Sequence, residues 1–301
     1  MSDMIPQSVG VSEKVSPSGR HISTQGHYAL SVMNPLSNVV ASRELLWSLT
    51  QRELRTKYRR SFLGWAWSML NPLANVAIYG FVFGILFGAS APVGENSGFN
   101  GFTYFLLCAM LPWNFFALAM SLGMGSMSNN SGLVRRVAFS REVLVFSNVA
   151  HAIVQFSIEL TLLCLILLIA GSPLLTQLPM VLLLTILLAI FAAGYALALS
   201  VLSVYFKDLN YLWIIVTQTW FFLTPIVYAP DLLQANVPDW GQRLLRLNPM
   251  VHYVAAFRDC LYHARTPDVG RIGVLVACSL TSFSIGWLIF SKLGRRLPEE
   301  V

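Results

Sequence analysis

Six stretches of this chain run long with almost no charge: about 62–88, 102–124, 144–170, 179–206, 210–229 and 271–293. At about 1.5 Å per residue each is long enough to cross the ~30 Å hydrocarbon slab of a bilayer as a helix. With 55% hydrophobic and only 11% charged residues in 301, the chain has too little charge to cover a soluble domain of its size. A polytopic, all-helical membrane protein with six transmembrane helices is the fold expected. The first span is not a plain lipid-facing anchor, because Asn71, Pro72 and Asn75 interrupt it.

Lysine and arginine set the orientation. Fifteen of the twenty fall on one side: eight up to Arg60, then Arg135, Arg136 and Arg141, then Lys207, then Lys292, Arg295 and Arg296. The other five lie between Arg243 and Arg271, and the short connections 89–101 and 171–178 have none. The positive-inside rule therefore places both termini in the cytoplasm. The net charge of +6 sits at the ends of apolar segments rather than along one soluble face, so no nucleic-acid partner is expected.

Three parts are expected along the chain. Residues 1–40, rich in Ser, Gly and Pro and without an h-region, read as a disordered cytoplasmic tail. Residues 41–60 read as an amphipathic interfacial helix, with Arg52, Arg55 and Arg59 on one face and Trp47, Leu54 and Tyr58 on another. Residues 61–301 form the transmembrane domain. Its outer segment 230–270 is partly apolar and holds four prolines, which fits short re-entrant or interfacial helices between spans five and six.

The chemistry is sparse. Of 14 carboxylates, Glu159 alone is an acid deep within a span. A proton-coupled carrier uses relayed intramembrane acids or histidines, and a membrane glycosyltransferase needs acidic clusters; neither pattern is present. There is no GxxxxGK[ST] phosphate loop, so an active transporter of this kind must draw its energy from another polypeptide. The four cysteines have no metal-ligand spacing, and no metal site is expected. The connection "NNSGLVRRVAFSREVLVFSNV" mixes Leu133, Val137 and Phe139 with Arg135, Arg136, Arg141 and Glu142. That is either a helix docked on a partner protein or a plain topogenic loop.

Six pieces carry a resemblance: "RRSFLGWAWSMLNPL" (59–73), "YFLLCAMLPWNFF" (104–116), "LVRRVAFSREVL" (133–144), "YFKDLNYL" (205–212), "FLTPIVY" (222–228) and "LNPM" (247–250). In this order they resemble the transmembrane subunit of the type-2 ABC exporters of polysaccharides, the group that moves O-antigen, capsule, teichoic acid and cell-wall galactan. The family usually has prolines where Ser140 and Val145 stand, and often Arg-Asp where Lys207-Asp208 stands. The resemblance implies a homodimer bound to two ATP-binding subunits in a bacterial inner membrane, with ATP and Mg held by the partner and no cofactor on this chain. It implies that Leu133, Arg135, Arg136, Phe139, Ser140, Arg141 and Glu142 form a cytoplasmic coupling helix that meets the ATPase, with Lys207 and Asp208 on the next cytoplasmic turn. The expected substrate is a lipid-linked polysaccharide, of galactan or O-antigen type.

A sugar path needs flat apolar faces and hydroxyls. Span five offers Trp213, Thr217, Trp220, Phe221, Thr224 and Tyr228, with Pro225 expected to kink its outer end; span one offers Tyr79, Phe83 and Phe87. These rings either line the path or fill helix interfaces. His151, Gln155 and Glu159 share a face of span three, where Glu159 either pairs with a donor on another helix or lines a wet cavity. Two other functions remain open: an ABC exporter of a drug or small lipid, and a membrane enzyme of envelope synthesis.

Overall fold

Backbone amides in hydrocarbon must bond within their own segment, so long apolar runs become helices. The computed structural model describes residues 43–58, 66–88, 91–132, 140–229 and 238–294. The expected tail 1–40, Arg59, and the coupling residues Leu133, Arg135, Arg136 and Phe139 lie outside the described residues. Those that are described are helical without strands: α1 Arg43–Tyr58, α2 Ala66–Tyr79, α3 Phe102–Gly125, α4 Glu142–Ile169, α5 Leu178–Tyr205, α6 Leu209–Phe222, α7 Asp239–Arg246, α8 Pro249–Leu261 and α9 Val269–Leu293. Four apolar helices, α3, α4, α5 (with the turn Leu174–Gln177 ahead of it) and α9, are long enough to cross a membrane.

The two remaining expected spans differ from a plain helix. In the first, α2 passes into a π-helical stretch, Gly80–Leu86, which closes against the start of α3. A Cβ on Gly80 would stand 2.8 Å from Thr103 Oγ1, so glycine permits that approach. The fifth is shorter than the apolar run 210–229. Its helix, α6, has 14 residues, about 21 Å, and stops at Phe222 rather than kinking at Pro225. Proline lacks an N–H and disfavours helical backbone at the residue before it, so the chain turns at Leu223–Pro225.

α3 is the central post. Phe105, Phe115 and Phe116 on it are buried against Phe156 of α4, Phe191 of α5 and Tyr262 beyond α8. Lipid tails are as apolar as leucine, so helices here are held by close packing and hydrogen bonds. The α5–α9 crossing shows both. A Cβ on Gly286 would collide with the Gly194 carbonyl, and Ser282 Oγ donates to Phe191 O at 2.9 Å. Tyr253 of α8 ties into the same crossing, donating to Leu187 O at 3.1 Å and lying 2.6 Å from Ser279 Oγ.

The connections sort to two ends. At one, Tyr262 donates to Pro92 O and Phe99 O at 2.9 Å each, and Asn96 Nδ2 to Ala264 O at 3.0 Å. At the other, Arg52 bonds Asn130 Oδ1, Ser203 Oγ donates to Met124 O at 2.8 Å, and Tyr205 donates to Leu293 O at 3.1 Å. These are the groupings that the lysine and arginine count assigns to the outer and cytoplasmic sides.

Candidate translocation groove

The end expected to face the cytoplasm holds the described part of the expected coupling region. Arg141 Nη1 donates to Gly294 O at 2.5 Å, tying the start of α4 to the end of α9. Glu142 and Ser140 are half-buried beside it, and Lys207 and Asp208 are exposed on the turn between α5 and α6. Below them α1 buries Leu49 and Leu54 and packs on α4, while Trp47 is 56% exposed and Arg55 is exposed. Tyr58 closes that helix.

The aromatic stripe expected on span five divides. Trp213, Thr217 and Phe221, four residues apart, line a cavity of ≈ 470 Å³ with Trp113, Ser121, Asn210 and Gln218. Along α6 its lining runs Asn210, Trp213, Thr217 with Gln218, then Phe221, rings between hydrogen-bonding groups, the combination that suits sugar rings. Thr217 Oγ1 donates back to Trp213 O, leaving its acceptor lone pairs. Trp220 and Thr224 instead turn to Asn248, the N-cap of α8. Trp220 Nε1 donates to Asn248 Oδ1 at 2.7 Å, and Asn248 Nδ2 donates to Thr224 Oγ1 at 3.1 Å. The Trp220 ring meets Phe116 and Tyr195 at 5.2 and 5.7 Å between centroids. Tyr228 donates to Phe222 O at 2.7 Å, closing the turn. In span one, Tyr79, Phe83 and Phe87 touch ring to ring, and Phe83 also meets Phe102.

Glu159 sits on the far side of α3. It accepts from Gln155 Nε2 at 3.0 Å, on its own helix, and lines a cavity of ≈ 260 Å³ with Asn75 and Asn114. His151 is buried two turns earlier on α4. Two asparagines, a glutamine and an acid facing one space make it polar enough to hold water or hydroxyl groups.

The largest departure from the sequence reading is Arg258, which charge counting treats only as an outer cation. It is 4% exposed, and its guanidinium donates to Phe105 O at 3.2 Å, Pro225 O at 2.5 Å and Ile226 O at 2.6 Å. It also lies 3.7 Å from the Phe105 ring centroid. The turn that ends α6 leaves carbonyls unpaired, and Arg258 takes two of them. A lone cation within the apolar run "HYVAAFRDCLY" is the signal that marks such a residue. Nearby, burial pushes the His263 imidazole below its ordinary value, consistent with Nδ1 accepting from Glu95 N.

The family model for the membrane part of ABC-2 type transporters matches residues 44–262, which is most of the chain. The chain belongs to the ABC-2 membrane family. This ABC-2 chain is 28% identical over 261 residues to the O-antigen export system permease protein RfbA of Myxococcus xanthus, covering 86% of this chain and 96% of that one. It is 28% identical over 257 residues to the protein of the same name from Klebsiella pneumoniae, covering 85% and 94%. It is 23% identical over 245 residues to the polysialic acid transport protein KpsM of Escherichia coli, covering 81% and 91%. An ABC-2 membrane chain is a transport component and a multi-pass membrane protein, so the groove described above lies in a transporter.

Proposed function

We propose that this chain is the membrane-spanning subunit of an ATP-driven exporter that moves a lipid-linked cell-envelope polysaccharide, of galactan or O-antigen type, outward across the bacterial inner membrane. The observation that carries this reading is near-full-length similarity to two O-antigen export permeases and a polysialic acid transport protein. The groove of Trp113, Trp213, Thr217 and Phe221 fits a sugar chain better than a compact drug, because rings and hydrogen-bonding groups repeat along its length. The subunit works as a homodimer with two ATP-binding subunits, which hold ATP and Mg. Both termini face the cytoplasm, and α7 and α8 shield the outer mouth. The bare apolar faces of the π-helical stretch Gly80–Leu86 and of α6, where Ile85 and Ile214 are 75% and 65% exposed, go to lipid or to the second copy.

The test is depletion of the protein in its own cells, followed by identification of what accumulates on the inner leaflet. A lipid-linked glycan should build up there while its outer form disappears. Unchanged glycan distribution, with loss of efflux of a small amphiphile, would replace this reading with a drug or lipid exporter.

A further inference from the structure

At the outer end, between α7, α8 and the loop ahead of α3, lies a cavity of ≈ 620 Å³. Four guanidinia line it, from Arg246, Arg258, Arg265 and Arg271, against two carboxylates, Glu95 and Asp259. The carboxylates are already engaged. Asp259 accepts from Arg265 at 2.7 Å and pairs with Arg271, and Glu95 pairs with Arg265. Among the described residues, Arg246 and Arg258 have no carboxylate partner. Carbonyls hold Arg258 but leave its charge in place, and its three bonds use three of five N–H groups. The cavity therefore carries an excess of two positive charges inside a low-dielectric wall, which raises the local concentration of anions.

Depth identifies the anion. Trp240 and Leu247, 72% and 79% exposed, flank the arginines of the short amphipathic helix α7. Exposed tryptophan and leucine beside arginine mark a helix lying at headgroup level, where the anions of a membrane are phosphates. Guanidinium forks match the oxygens of a phosphate in pairs. We propose that this cavity binds a phosphoester anion at the outer membrane surface, borne by a phospholipid headgroup or by a lipid-carried substrate. The inference does not need the polysaccharide reading, since it concerns the anion and not the cargo.

The full-length chain, purified in maltoside detergent as the complex it forms in its own membrane, is titrated with phosphatidylglycerol and with an uncharged galactosyl diacylglycerol of the same acyl chains, bound lipid being counted by native mass spectrometry. Phosphatidylglycerol should bind more tightly. Arg246→Glu should weaken it roughly tenfold, the scale of one lost charge-assisted contact. Arg243→Glu makes the same charge change on α7 outside the cavity lining and should leave affinity within about twofold of wild type. Both variants should keep the wild-type thermal midpoint, because neither arginine side chain has a partner among the described residues. Inorganic diphosphate that displaces the lipid supports recognition of the phosphate by itself. Arg246-dependent binding that diphosphate does not displace supports a lipid-borne phosphate. Equal binding of the two lipids, or equal effects of the two variants, overturns the proposal.

Discussion

Removing the Arg258 side chain would leave the buried carbonyls of Pro225 and Ile226 without their donors, while the Phe105 carbonyl keeps its bond within α3. Each stranded group costs about 1–3 kcal/mol, so Arg258→Leu should destabilise the fold by about 2 kcal/mol or more. Arg258→Lys keeps a charge and one donor position but loses the fork, and should fall between. Thermal scanning of detergent-purified protein checks the order; equal midpoints for all three proteins would mean that the guanidinium does not hold the turn. The position was visible in the sequence only as an isolated cation in an apolar run. Its partners stand 32, 33 and 153 residues away, and nothing local in the chain announces that they converge. Glu159 is the opposite case. Its burial and its i−4 partner Gln155 follow from the helical period alone, whereas Asn114 of the same cavity comes from another helix.

Helix α6 packs unevenly along its length. Trp220 is a packed member of a ring cluster and donates to the α8 cap, so Trp220→Ala should cost about 3 kcal/mol or more and reduce the amount of folded protein first. Trp213 and Phe221 border the groove and each has one ring neighbour on another helix, Tyr195 at 6.5 Å and Trp113 at 5.7 Å between centroids. Their alanine variants should cost less stability than Trp220→Ala and lower transport per folded molecule, by roughly 0.5–1.5 kcal/mol of lost ring contact, or two- to tenfold. Export measured against folded protein decides between them. An equal loss of stability in all three variants would return the whole stripe to packing. Periodicity read this helix as one face because residues 213, 217, 220, 221 and 224 fall within one arc. It did not show that Asn248, a loop residue 28 positions after Trp220, claims part of that arc. The same proximity explains why the run 210–229 overstated the helix: apolarity continues past Phe222, but the backbone does not.

The molecule as a whole is sorted by its ends, and this was the most legible level. Positive charge at apolar boundaries grouped the connections correctly, because insertion acts on the whole segment and not on side-chain partners. The helix contacts were not legible, since crossings such as Gly194 on Gly286 depend on two small residues far apart in the chain. If the cytoplasmic end receives the stroke of an ATPase, charge reversal at Arg135 and Arg136 should abolish export while leaving the subunit inserted and the complex able to hydrolyse ATP. Cysteine at Ser140 should crosslink to the ATPase. Normal export in the reversed protein, with no crosslink, would leave those arginines a purely topogenic role.

One consequence of the shortened α6 is mechanical. The helix buries none of its residues fully, yet its upper end is clamped by Trp220 to Asn248 and by the turn to Arg258. Its lower end begins at the exposed Lys207-Asp208 turn. A rod about 21 Å long, bonded to α8 at one tip and joined to α5 by a three-residue turn at the other, would pivot about the α8 cap if it tilted. A tilt of roughly 10° would move the lower tip and the Phe206–Asp208 turn with it through about 4 Å, by simple geometry on that length. That sweep would carry Asn210 and Trp213, the lower wall of the groove, away from Ser121 and Met124 while Phe221 stayed almost still. The groove would then widen from the Asn210 end upward, like a jaw opening from its tip.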